Sequence, residues 1–185
     1  MSKLILGFVG QMASGKGTAV SYLKEKYGAS TYRFSGMLTD ILNRLYLPND
    51  REHLQKLSQS LRETFGEETL AKVMAEDVKN DTNNVIAIDG IRRPGDVAHL
   101  KNVPGFILVN ITADIEKRFE RLSKRGEKTD DLSKTFEQFK QEHNNEAEVK
   151  IEEVARDAKE WIDNNNVLEN LHTQLDQLIK KYKSV

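Results

Sequence analysis

Apolar positions along the chain follow two rhythms. Leu4-Ile5-Leu6-Gly7-Phe8-Val9 is an unbroken apolar run, the pattern of a strand buried on both faces of a parallel sheet. Shorter runs recur at residues 31–34, 85–88, 106–111 and 160–162, each followed by polar or glycine-bearing turns. Between them the period changes. Leu54, Leu57, Leu61 and Phe65 fall at helical spacing, as do Leu70, Val73, Met74 and Val78, and later Leu168, Leu171, Leu175, Leu178 and Tyr182. Strands alternating with helices predict a parallel α/β sheet covered by helices on both sides. The highly charged stretch 124–150, with Phe136 and Phe139 as its clearest apolar anchors, reads as exposed helix with few core contacts. Trp161, a lone aromatic in a strand, reads as core packing.

Composition narrows the class. The 185 residues, 38% of them hydrophobic, are enough for a single domain with its own core. No internal repeat or low-complexity linker marks a boundary, and Pro48, Pro94 and Pro104 stand at predicted element edges. The 28 Lys and Arg nearly cancel the 29 Asp and Glu, so the chain lacks the net basic field that holds nucleic acid. Without cysteine there is no disulfide framework and no thiolate metal site. The apolar run at the N-terminus is too short to cross a bilayer and has no small-residue cleavage site behind it, so the expectation is a cytoplasmic protein with no membrane partner.

Chemistry enters at residues 10–18. Gly10-Gln11-Met12-Ala13-Ser14-Gly15-Lys16 fits G-x-x-x-x-G-K, placed after the first strand and before a helical segment with Val20, Leu23 and Tyr27. Glycines let successive amides point inward, the helix N-terminus adds partial positive charge, and Lys16 reaches the outer phosphates. The strict motif continues with Ser or Thr, whereas here Gly17 precedes Thr18. Gly15-Lys16-Gly17-Thr18 resembles the adenylate kinase family, which commonly carries G-K-G-T. Thr18, or a water, would then supply the hydroxyl near magnesium.

Further segments strengthen that resemblance to nucleoside monophosphate kinases and to archaeal adenylate-kinase-related and dephospho-CoA-kinase-like proteins. The strand at 85–88 ends in Asp89-Gly90-Ile91-Arg92-Arg93. Adenylate kinases carry Asp-Gly at this strand end, followed by an arginine that grips the acceptor's phosphate. Arg93 has that spacing, and Arg92 matches the archaeal group's Asp-Gly-Ile/Val-Arg. Their alternative is a solvated surface. Phe34-Ser35-Gly36-Met37-Leu38 resembles the start of the family's acceptor-binding helix, but Thr39 stands where its arginine is usual, leaving Arg44 and, better, Arg62 as substitutes. Ser35 is equally a candidate helix N-cap.

Arg118, Arg121 and Arg125 share one side of a predicted helix. Such a stripe is usually solvated, yet residues 121–126, followed by Asp130-Asp131, resemble the start of the adenylate kinase lid, whose arginines close over the transferring phosphate. Lys128 and Lys140 replace the later lid arginines. Trp161-Ile162-Asp163-Asn164-Asn165-Asn166 resembles the last strand and loop of dephospho-CoA kinases, implying that Asn164 and Asn165 lie beside the adenine; the asparagines are also good turn formers.

The resemblance implies a three-layer α/β/α sandwich with a five-stranded parallel sheet in the order 2-3-1-4-5. It implies a single domain over residues 1–185, with an acceptor-binding helical segment at about 36–80 and a small helical lid at about 121–150. ATP would lie on Gly10, Ala13, Ser14, Gly15, Lys16, Gly17, Thr18, Asn164 and Asn165, with Mg2+ near Thr18 and Asp89. Lys16, Asp89, Arg121 and Arg125 would be the catalytic group, and Ser35, Arg62, Arg92 and Arg93 the acceptor contacts. The expected reaction is transfer from ATP to a nucleoside or deoxynucleoside monophosphate, in a monomer or homodimer. A dephospho-CoA-kinase-like enzyme would instead phosphorylate a hydroxyl and need a base, for which Asp40 is the nearest candidate. An ATPase or switch acting on a protein or RNA partner is the third reading; no Asn-Lys-x-Asp guanine-reading motif occurs.

Overall fold

The computed structural model describes residues 3–125, 135–143 and 146–183. Five parallel strands form one sheet: β1 (Leu4–Val9), β2 (Ser30–Arg33), β3 (Val85–Asp89), β4 (Phe106–Thr112) and β5 (Glu160–Asp163), in the order β2-β3-β1-β4-β5. This is the strand order the sequence implied. β1 is central and every one of its residues is buried, which explains its unbroken apolar run: alternate side chains enter different cores.

Leu4, Leu6 and Phe8 join Val85, Ala87, Ile107, Val109 and Ile111 under α1 (Lys16–Tyr27) and α9 (Leu168–Lys183), which bring Ala19, Leu23, Leu171 and Leu175. Ile5 and Val9, with Ile86, Ile88 and Leu108, face the opposite layer of α2 (Phe34–Arg44), α4 (Thr69–Asn80), the short α5 (Pro94–Val97) and α8 (Glu146–Arg156). α3 (Arg51–Phe65) packs beside α2 and turns Leu54, Leu57 and Leu61 onto that core. The remaining helices, α6 (Ile115–Arg125) and α7 (Phe136–His143), lie between β4 and α8 in the chain.

Four expectations change. Phe34 opens α2 rather than ending β2: Arg33 is the last residue paired to β3, and Phe34 turns into the core. Phe65, at the last turn of α3, is 67% exposed and does not join its helical stripe. Trp161 is 59% exposed, because β5 is an edge strand and alternation sends Ile162, not Trp161, inward. Finally, residues 124–150 are not simply an exposed face. Phe139 is buried against Phe119, and α8 continues into the core through Ile151, Val154 and Ala155. Among the described residues no helix is long and apolar enough to cross a membrane.

Candidate active site

The carboxyl ends of the strands carry the candidate residues, where open α/β sheets bind their ligands. β1 runs into the loop 10–15, and α1 starts at Lys16. Two glycines fit no other residue. A Cβ on Gly10, whose φ is 150°, would lie 2.3 Å from the Ile111 carbonyl oxygen. A Cβ on Gly15, whose φ is 109°, would lie 2.1 Å from Asn164 Nδ2. Between them Ala13 takes a left-handed φ of 59°, a strained state that persists only where surrounding contacts over-determine it. No side chain caps α1 and its first turn holds no acidic residue, so its leading amides remain available to an anion.

Those contacts are visible. Lys16 Nζ folds over the loop and donates to the carbonyls of Gly10 (2.6 Å) and Gln11 (2.9 Å). Gln11 reaches Glu152 of α8 at 2.9 Å. Arg118 donates to Met12 O at 3.4 Å and to Ala113 O at 3.1 Å, with its guanidinium over the Phe139 ring. Asn164 Nδ2 donates to Ser14 O at 2.8 Å, and Arg121 Nη2 donates to Asn164 O at 2.7 Å. Two buried polar atoms have no partner among the described residues: Ser14 Oγ and Arg121 Nη1. Leaving such groups unsatisfied costs about 1–3 kcal/mol each, and a phosphate oxygen satisfies both kinds of donor.

This arrangement revises the arginine stripe. Arg118 is 2% exposed and braces the loop instead of being solvated. Arg121 sits beside the loop; Arg125 closes α6, and its side chain, like Lys128 and Asp130-Asp131, lies outside the described residues. Asn164 and Asn165 are also engaged within the protein, Asn164 buried and Asn165 nearer the surface. Asn165 Oδ1 accepts from the Asp114 amide at 2.7 Å while its Nδ2 donates to Asp163 Oδ1 at 2.8 Å, so in this structure its polar atoms close a turn rather than face a base.

Across the sheet, β3 ends in Asp89, whose carboxylate receives Arg33 Nη2 (2.9 Å) and Nε (3.1 Å). Arg33 was not singled out in the sequence, though the signal existed: it is the last residue of the neighbouring parallel strand and pairs in register with Asp89. Its side chain is 57% exposed. Arg92 and Arg93 follow on the loop after Gly90, both exposed.

Arg62 is the clearest correction. Its guanidinium is buried and donates to Asp96 Oδ1 (3.0 Å), Glu67 O (2.7 Å) and Ser58 Oγ (3.4 Å). Its donors are consumed in that brace, and the side chain is 7% exposed. Asp96, also unnoticed in the sequence, is the hub, since its Oδ2 accepts the amides of Arg92 and Arg93 at 3.0 Å each. Proline at the first helical position with an acidic residue two places on was the available sign. Ser35 lies within the first turn of α2 and does not cap it, because Arg33 holds the N-cap position. Thr18 is exposed on α1, and Thr39 and Asp40 lie along α2.

The residues fit a nucleotide's phosphates; they fit a metal less directly. No group of three or more His, Cys, Asp or Glu could hold an ion among the described residues. Asp89 is already paired, and position 17 lacks a hydroxyl. This donor set suits an ion that arrives on the phosphates and not one held by the protein alone.

Comparison with known proteins agrees with this geometry. Residues 9–140 match a family model described as AAA domain. A UPF0200 protein of Sulfurisphaera tokodaii is 27% identical over 179 residues, spanning 96% of each chain. Another UPF0200 protein, from Methanoregula boonei, is 31% identical over 129 residues, covering 69% of this chain and 70% of that one. A shikimate kinase from Acinetobacter baumannii, solved with shikimate, superposes with a TM-score of 0.56 at 16% identity, covering 98% of this chain and 94% of that one. That likeness is one of fold alone.

Proposed function

The chain belongs to the AAA domain family and to the UPF0200 proteins, and from that premise we propose that it transfers the terminal phosphoryl group of ATP to a nucleoside or deoxynucleoside monophosphate. The observation that carries the reading is the pair of buried, unpartnered donors, Ser14 Oγ and Arg121 Nη1, beside a glycine-rich loop and Lys16. Bound phosphate would draw Lys16 off its loop carbonyls, and the loop amides would hold the oxygens. Arg121 supplies positive charge where charge spreads in the transition state.

The acceptor's anionic phosphate oxygen forms the new P–O bond as the bond from the terminal phosphorus to the bridging oxygen breaks, and ADP leaves. No proton must be removed from such an acceptor, so no general base is required. Arg92 and Arg93, exposed on a loop that Asp96 fixes, are the groups to hold it. Mg2+ would travel with the ATP, flanked by Asp89 and Thr18, and would neutralise charge on the phosphates. Helices α2, α3 and α4 would frame the acceptor, and α6 with α7 would border the lid.

Loss of Arg62 from the acceptor side favours a second reading, a hydroxyl acceptor as in the dephospho-CoA-kinase-like proteins. One experiment separates them: ATP with Mg2+ is screened against all common nucleoside monophosphates and dephospho-CoA, with ADP formation and the phosphorylated product both measured. A monophosphate-dependent diphosphate product supports the first reading, and product from dephospho-CoA alone replaces it with the second. ADP formed without any acceptor would overturn both in favour of an ATPase.

A further inference from the structure

Asn164 follows the last strand, and its bonds run to three separate elements. Its amide donates to Thr112 O at 2.8 Å, pinning it to the end of β4. Its side-chain nitrogen donates to Ser14 O, and its carbonyl accepts from Arg121. The residue is only 5% exposed, so a carboxamide at this depth needs its partners.

The Ser14 carbonyl and the Gly15 N–H belong to one peptide unit, and in a trans peptide these two groups point in opposite directions. No cis bond is present among the described residues. A donor that holds the Ser14 oxygen outward therefore aims the Gly15 N–H inward, toward the phosphate cradle. The close approach of Asn164 Nδ2 to the place of a Gly15 Cβ makes the grip sterically specific as well. We propose that Asn164 is a positioning residue: it fixes the Ser14-Gly15 peptide so that its N–H faces the phosphate, and through its own carbonyl it ties Arg121 to that same state of the loop.

This inference rests on the nucleotide-binding reading above and adds that Asn164 acts through the loop and the arginine, not by touching the base. Arg121 is thereby oriented with one nitrogen held and the other left for a ligand.

The test uses the slowly hydrolysed analogue ATPγS with the full chain and no acceptor, measuring its affinity by calorimetry and the Gly15 amide by two-dimensional NMR. Asn164→Ala should weaken binding about tenfold, the loss expected for one buried hydrogen bond, and should abolish the shift of the Gly15 amide on ligand binding. Asn164→Asp keeps the shape but sets an anionic oxygen against the Ser14 carbonyl. Its affinity should fall further and recover as the pH is lowered, because the protonated acid again donates to Ser14 O. Combined with Arg121→Ala, Asn164→Ala should cost less than the product of the two separate losses, since both act on one linked unit.

Wild-type protein that does not bind ATPγS would remove the nucleotide reading itself. Wild-type binding with an unchanged Gly15 shift in Asn164→Ala, or an Asn164→Asp affinity indifferent to pH, would overturn the positioning role and leave that reading intact.

Discussion

The two halves of the candidate site are built on opposite plans. On the nucleotide side the loop 10–15 is gripped from α6, α8 and the β5–α9 turn, and among the described residues the buried side-chain donors without a partner lie there. On the side proposed for the acceptor the buried arginine, Arg62, is fully engaged, and the exposed cations are Arg33, paired to Asp89, with Arg92 and Arg93, the last 3.8 Å from Glu67. The first half is preorganised for an anion of fixed shape. Fixed dipoles cost no reorganisation when charge develops, which is where electrostatic catalysis gains most. The second half offers charge on exposed side chains and, on the proposed reading, would accommodate acceptors more loosely. A shared phosphate donor and a divergent acceptor would produce that contrast.

The largest effect should come from breaking the brace beneath the acceptor loop. Asp96→Ala strips the buried Arg62 guanidinium and the Arg92 and Arg93 amides of their acceptor together. Removing one partner of a buried ion pair costs about 3–5 kcal/mol, read as a lower midpoint in urea denaturation. If Asp96→Ala unfolds like the wild type, Arg62 is not the brace described here. Arg62→Met should recover much of the loss in the double variant, because no buried charge is then left alone.

Next comes Lys16→Ala. Losing a cation aimed at the transferring phosphate should lower turnover about hundredfold or more, with a smaller loss of stability because the ammonium's bonds to the Gly10 and Gln11 carbonyls are part-buried. Wild-type-like turnover would remove the nucleotide half from the comparison altogether.

How far each half was legible in the sequence follows from how local its determinants are. The strands and the phosphate-loop motif were readable because strand periodicity and G-x-x-x-x-G-K are set within a few residues of chain, whereas the sheet order came with the resemblance to nucleotide kinases. The roles of Arg62 and Arg118 were not. Both are cations on helices with polar faces, where exposure is the sensible expectation. What buries them is distant in sequence: Asp96 for Arg62, and Met12 with Phe139 for Arg118. For Asn164 the resemblance implied a place beside the adenine, while its bond to Ser14 spans 150 residues and no local pattern announces it. Trp161 failed the other way, because an aromatic in a strand reads as core until the strand proves to lie at the sheet's edge.

A smaller effect should separate the exposed arginines. Arg33→Ala removes an ion pair that is more than half exposed on the arginine side, and exposed pairs contribute at most about 1 kcal/mol to stability. Charged hydrogen bonds to a bound phosphate are worth about 1.5–3 kcal/mol, so the acceptor's apparent KM should rise about tenfold in Arg33→Ala, Arg92→Ala or Arg93→Ala while ATP affinity holds. An equal loss of ATP affinity would erase the distinction between the two halves.

The smallest change tests the one place where the nucleotide half departs from the strict phosphate-loop pattern. Gly17 lies in the first turn of α1, and a Cβ there would meet nothing within 4 Å. Serine costs a helix about 0.5 kcal/mol less than glycine, which corresponds to a melting temperature about 1–2 °C higher in a chain of this length. Gly17→Ser also restores a hydroxyl directly after the lysine. If the metal is held chiefly by the phosphates because the protein offers few oxygens, the added hydroxyl should lower the Mg2+ concentration needed for half-maximal ATP binding and leave the acceptor's KM unchanged. A stabilised variant whose Mg2+ dependence does not move would show that position 17 lies away from the ion. Asp89, released from Arg33, would then be the oxygen to examine.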